Sequence, residues 1–390
     1  MTSSRSKKLE NLGGICLFYD MPQWRDSAIV DVQRIVERRG VKAYLKLEPV
    51  SDDGMHVVHI VPTARLEEIT PDFDTTAIAS ALQLDVSHQA RDLELEILLA
   101  MARSPIAFVF PSVAELEASL RIRRNTAFAA ARAMLSFDPL GFERPTDCWA
   151  YHPDTSFTLL PGVALIDALR KTIHPDQSGK TYSFSCYRAS EYVQLLGLAV
   201  ELKDHHPALL GTIEARWRRS AIMSEEFQHV FMRELGTIDE PLPTRYFVPG
   251  DRVWFRNPDE FSSDVYGYEG SWVYYLGDGK FNNFWDSAAP YTLDSKCLEI
   301  YHWRDGVYRD AQGTLCMNED VVRDHMAKTR SDPVVADGIL RKMLCVRDPS
   351  GVYRDGGCAD ATRESLRWMC ELTSNMDFAS FERGAVARAA

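Results

Sequence analysis

A cysteine in the first turn of a helix faces free backbone amides and the positive end of the helix dipole, an arrangement that lowers its pKa and creates a nucleophile. Cys186 has that placement: in TYSFSCYRASEYVQLLGLAVEL an extended alternation changes into a helical pattern at this residue. A small buried hydrophobe at a strand-to-helix junction is the other reading of the same position. The remaining cysteines, at 16, 148, 297, 316, 345, 358 and 370, form no CxxC pair and read as reduced, packed residues. His56 and His59 lie three apart in a strand-like stretch and so face opposite sides. Asp204, His205 and His206 sit in KDHHP, an exposed helix end, and Cys316 and Cys358 each follow a copy of GVYRD. None of these sets has convincing ligand spacing, so neither a metal nor a cofactor is expected. No GxGxxG, P-loop, HExxH, GxSxG or EF-hand pattern occurs, which removes support for nucleotide, zincin, serine-hydrolase and calcium-loop chemistry.

The elements that must hold Cys186 can be read around it. Ser112 and Glu115 form an S-x-x-E capping signal ahead of VAELEASLRIRRNTAFAAARAML, which predicts a long helix over 113–135. CWAYHPDTSFTLLPG reads as short strands around a turn, and GVALIDALRKT as a helix. From Tyr246 the pattern turns to β, with Leu276-Gly277-Asp278-Gly279-Lys280 as a hairpin turn between aromatic-rich strands. Upstream, residues 15–62 predict a small β-α-β-β unit, followed by an acidic, partly helical connector to about residue 101. Downstream, Gly-Val-Tyr-Arg-Asp occurs at 306–310 and again at 351–355, each copy followed by a helix-like segment, VVRDHMAK and TRESLRWM.

Four blocks, SPIAFVFPSVAELEASLRIRRNTAFAAARAM, YSFSCYRA, FVPGDRVWFRNP and GSWVYYLGDGKF, stand in the order found in bacterial spore-coat protein-glutamine γ-glutamyltransferases. The chain resembles that family over roughly residues 103–286, about half its length. These are small calcium-independent transglutaminases related to NlpC/P60 cysteine peptidases. The resemblance implies an acyl transfer in which a cysteine, here Cys186, attacks a glutamine carboxamide, releases ammonia and passes the γ-glutamyl group to an amine. It also implies a hydrophobic tunnel around the nucleophile. Tyr182, Phe184, Tyr187, Trp254, Tyr268, Trp272, Phe284 and Trp285 are among the aromatic residues crowding these blocks, most of them expected in the core and a few along a channel.

The partners of the nucleophile depart from the family pattern. Its Glu and His positions, aligned on the Leu-Gly turn, are Ser271 and Phe284 here, and neither can act as a base. Residues two apart share a strand face, so Glu269 and Asp286 would stand opposite each other one same-face rung further from the turn. Such a carboxylate pair would repel, raise one pKa and assist Cys186, unless both groups simply face solvent. His302, in CLEIYHW, is an alternative imidazole or a structural histidine.

The chain of 390 residues has 45% apolar and 26% charged residues, the composition of a soluble globular protein with roughly two or three domains. A net charge of −12 disfavours nonspecific binding to nucleic acid or an anionic membrane, and neither partner is expected. No secretory signal or bilayer-spanning stretch is read, so a cytoplasmic location is expected; oligomeric state stays open. The expected architecture is α+β: an N-terminal α/β unit and connector (1–100), a papain-like, NlpC/P60-like core (101–304), and a C-terminal helical extension (305–390). The expected function is cysteine-dependent transamidation of a protein or peptide glutamine to an amine acceptor. A glutamine deamidase using water, and a catalytically decayed binding module, are the alternatives.

Overall fold

The computed structural model describes residues 12–19, 25–52, 55–138, 141, 143–221, 224–347, 357–370 and 373–376. The second GVYRD copy lies outside the described residues. The first strand β1 (Ile15–Phe18), helix α1 (Arg25–Arg39) and strands β2 (Leu45–Asp52) and β3 (Met55–Pro62) form the expected β-α-β-β unit. β1 and β2 both pair antiparallel with β3. After α2 (Ala90–Ala102) the chain adds β4 (Phe108–Phe110) parallel to β1, giving the order β2-β3-β1-β4. The N-terminal sheet therefore reaches past residue 100. Phe108 and Phe110 bury on one face of it and Val109 on the other, where Trp368 packs and donates its indole N–H to the Val109 carbonyl at 3.1 Å.

Helix α3 (Val113–Arg132) starts as the sequence indicates, with the Ser112 hydroxyl accepting the Glu115 N–H at 3.2 Å. The Glu115 carboxylate does not turn back to its own helix start. It accepts the Met369 N–H at 2.8 Å and the Thr373 hydroxyl at 3.0 Å, so a capping residue also anchors the C-terminal chain. The strands Trp149–His152 and Ser156–Leu159 pair as the short hairpin expected, followed by α4 (Leu165–Ile173) and α5 (Cys186–His205).

Six further strands, β5 (Met232–Leu235), β6 (Arg252–Arg256), β7 (Gly270–Gly277), β8 (Lys280–Phe281), β9 (Tyr291–Thr292) and β10 (Arg363–Leu366), form the main sheet in the order β9-β8-β7-β6-β10-β5. All its pairings are antiparallel. Helices α6 (Leu293–Gly306), α7 (Glu319–Arg330) and α8 (Pro333–Met343) pack beside it. The helical expectation for VVRDHMAK is met by α7; that for TRESLRWM is corrected, because its Arg363–Leu366 is strand β10. The reason is tertiary: β10 fills the slot between β6 and β5, with Glu364 opposite both Arg252 and Glu234. The chain beyond residue 304 is thus part of the main sheet as well as a helical extension. Among the described residues no helix is long and apolar enough to cross a membrane.

Candidate active site

Strand Ser183–Phe184, paired in parallel with Ser136–Phe137, delivers the chain to the start of α5. Ser185 is the N-cap, its hydroxyl accepting the Arg188 N–H at 3.3 Å, and Cys186 is the first helical residue. Behind it α5 packs on α3 at Gly197, where an added Cβ would stand 2.2 Å from the Thr126 hydroxyl oxygen. The Gln194 amide donates to that hydroxyl at 3.2 Å, and the Tyr274 hydroxyl of β7 donates to the Ser190 carbonyl at 2.8 Å. Three of the sequence blocks thereby meet on one helix.

The thiol of Cys186 lies on the wall of a cavity of about 560 Å³. Part of the residue faces that space, but dense surroundings push the thiol pKa up, burial being the largest cause. The backbone N–H groups of Trp272 and Tyr187 and the positive charges of Lys296 and Arg252 oppose that rise. The helix-start expectation of a lowered pKa is therefore corrected: those influences are present, and burial outweighs them.

Lys296, on α6, is 2% exposed at its side chain and pairs with the Glu299 carboxylate at 2.6 Å. The Tyr291 hydroxyl donates to the other oxygen of Glu299 at 3.0 Å, and the Lys296 ammonium sits 4.1 Å from the Tyr291 ring centre. All three residues line the cavity, with Phe137, Tyr268, Trp285 and Trp303 as its aromatic surface. Arg252 packs under the residues that flank the nucleophile, Tyr187 and Trp272. Its guanidinium is 4.0 Å from the Trp272 ring centre and 4.7 Å from that of Tyr187. It donates to Ser190 at 2.8 Å and to Gln228 and Glu364 at 2.9 Å. A second cavity of about 320 Å³, lined by Tyr187, Arg252, Trp254 and Trp272, opens there. Sequence reasoning missed Lys296, Glu299 and Arg252; a basic residue amid apolar strand residues, as in RVWF, needs a buried partner and is the signal that pointed to the last of them.

The hairpin does not take the register that would set Glu269 opposite Asp286. Asp278 and Gly279 both adopt left-handed φ, as an Asp-Gly hairpin turn requires, but the ladder shifts by one residue between Tyr275 and Gly277. β8 ends at Phe281, and by Phe284 the chain has left the sheet to accept the Leu135 N–H at 2.7 Å. Glu269 is exposed, with its carboxylate accepting the Gly267 N–H at 3.3 Å. Asp286 is also exposed but borders the cavity, where it accepts the Ala288 N–H at 3.0 Å. Of the family-aligned positions, Ser271 lines the cavity and Phe284 is buried in the core. His302 is buried, 2.6 Å from Asp305 and 2.8 Å from the Thr329 hydroxyl, and does not line the cavity. The other cysteines keep their packed reading in the main: burial pushes Cys16 and Cys370 up to about 12, and Cys297 and Cys358 face each other at 3.5 Å, while Cys345 is exposed.

A comparison with individually curated proteins returned no match. The family model described as protein-glutamine gamma-glutamyltransferase matches residues 74–351, about seven tenths of the chain, a span that takes in α2 through α8, the helix start at Cys186 and both walls of its cavity. With that coverage, the α+β architecture and the four blocks gathered around one helix, the chain belongs to the protein-glutamine gamma-glutamyltransferase family, whose members are enzymes that transfer acyl groups from glutamine side chains of proteins.

Proposed function

We propose that Cys186 is the nucleophile of this transferase and that the glutamine side chain reaches it through the cavity between β7, the Asn283–Tyr291 segment and α6. The observation that carries this reading is the position of the thiol: first residue of α5, on the cavity wall, against the Trp272 and Tyr187 amides and within the field of the Lys296 and Arg252 charges. The thiol proton passes through cavity water to Asp286, and the sulfur attacks the carboxamide carbon to give a tetrahedral adduct. The nitrogen takes that proton and leaves as ammonia, forming a thioester on Cys186. A primary amine then attacks the thioester, and its surplus proton restores the thiol. Aromatic walls at Phe137, Tyr268, Trp285 and Trp303 support an amine over water as the acceptor, because the alkyl stem of an amine can pack on them beside the thioester and water cannot. Asp286 is favoured over Glu269 because it borders the cavity, whereas Glu269 joins only by swinging away from the Gly267 amide.

The test is incubation with a glutamine-containing protein and a fluorescent primary amine, for the native chain and Cys186→Ala. Label incorporated by the native chain and lost in the variant is the expected result. Ammonia release without label would replace the amine by water as acceptor, giving a deamidase. Neither product, over several glutamine proteins, would overturn the reading in favour of a binding module.

A further inference from the structure

We propose that His302, Asp305 and His325 form a binding site for a divalent first-row transition ion, with Zn²⁺ as the chemical archetype, that ties α6 to α7. His302 and Asp305 are three apart on α6 and share a face, and His325 comes from α7. One ligand atom from each lies within 4.8 Å of the other two. The Nδ1 atoms of His302 and His325 are 2.6 Å and 3.4 Å from the same Asp305 oxygen. Tetrahedral coordination at Zn–N and Zn–O distances near 2.0–2.1 Å sets donor atoms about 3.3 Å apart. Rotation of the partly exposed His325 and Asp305 side chains opens the 2.6 Å separation and brings all three donors to that spacing.

The surroundings have the form of a second coordination layer. The Nε2 atom of buried His302 is 2.8 Å from the Thr329 hydroxyl, which holds the ring with Nδ1 toward Asp305 and His325. Two imidazoles and a carboxylate match zinc, nickel, cobalt or ferrous iron better than the all-oxygen preference of calcium or magnesium. The exposed side of Asp305 and His325 leaves a fourth position for water.

The location gives the ion a task. None of the three ligands lines the cavity at Cys186, yet their helices do: Lys296, Glu299 and Trp303 from α6, and Val322, Met326 and Arg330 from α7. An ion at this site locks the outer wall of that cavity from behind and takes no part in the chemistry. The inference stands on its own residues and does not depend on Cys186 being the nucleophile.

Chelator-treated protein titrated with Zn²⁺ by calorimetry, with bound metal counted by mass spectrometry, tests it. The native chain is expected to bind one Zn²⁺ with a rise in thermal midpoint. His325→Ala and Asp305→Asn should each lose both responses, and Thr329→Val should bind about 10- to 100-fold more weakly. His325 is half exposed, so the circular dichroism and metal-free midpoint of its variant should match the native chain. No saturable binding by the native chain would overturn the site. So would native-like binding, or an equal rise in midpoint, in His325→Ala and Asp305→Asn, because the ion would then reside elsewhere, for example on thiols.

Discussion

At the scale of single residues, the balance on Cys186 decides how the site works. Burial is the largest influence on the thiol and raises its pKa, so near neutral pH the resting group is protonated and needs a proton acceptor. The thiolate is the reactive form. Alkylation of Cys186, followed by peptide mapping to separate it from exposed Cys345, should therefore accelerate as pH rises, with a midpoint above the ordinary thiol value of about 8.5. A midpoint below that value would mean the positive charges win. Lys296 is the largest charge acting against burial. Lys296→Met should move the midpoint further up and slow alkylation at fixed pH, by up to about tenfold for one unit of lost stabilisation. An unchanged profile would remove Lys296 from the account.

At the scale of elements, α3 and α5 must approach closely for the start of α5 to reach the amide of Trp272 on β7. Gly197 makes the approach possible, because a Cβ there would meet the Thr126 hydroxyl at 2.2 Å and the Thr126 backbone at 2.9 Å. Alanine at an exposed helical site would stabilise by about 1 kcal/mol through propensity. Here the clash involves backbone that cannot rotate away, and overpacking costs about 1–3 kcal/mol. Gly197→Ala should therefore lower the urea midpoint, and a higher midpoint would show that the two helices can separate without loss. The same crossing carries the Thr126–Gln194 bond, so the variant should also slow alkylation of Cys186.

At the scale of the whole molecule, residues 363–370 are built into the main sheet and reach across to the N-terminal one. β10 sits between β6 and β5, the Glu115 carboxylate of α3 holds the backbone at Met369, and Trp368 covers the N-terminal sheet. Glu364 forms the buried ion pair with Arg252, whose guanidinium underlies Tyr187 and Trp272 next to the nucleophile. Removing one member of a buried pair leaves an uncompensated charge and costs about 3–5 kcal/mol. Glu364→Ala should show that loss in urea unfolding, although the residue is remote in sequence from every recognisable block. A loss below about 1 kcal/mol, the range of exposed pairs, would mean that Arg252 finds water or another acceptor.

Much of this protein is legible locally. The helix start at Cys186, the Ser112 cap, the Asp278-Gly279 turn and the β-α-β-β unit each depend on a few neighbouring residues, and periodicity or turn chemistry reports such elements directly. The four blocks likewise carried the family. What escaped were relations between distant segments. A one-residue shift in the hairpin ended the rung expected for Glu269 and Asp286, because a bulge alters pairing without changing the alternation of side chains. TRESLRWM became a strand because a slot in the sheet was open to it, overriding a helical pattern. Lys296 became a neighbour of Cys186, and His302 of His325, only when α6 and α7 packed beside the main sheet. Sequence alone determined which residues have reactive side chains and which short elements carry them; tertiary packing decided how deeply Cys186 is buried and which charges face it, because desolvation and Coulomb energy depend on distances between elements that no local pattern encodes.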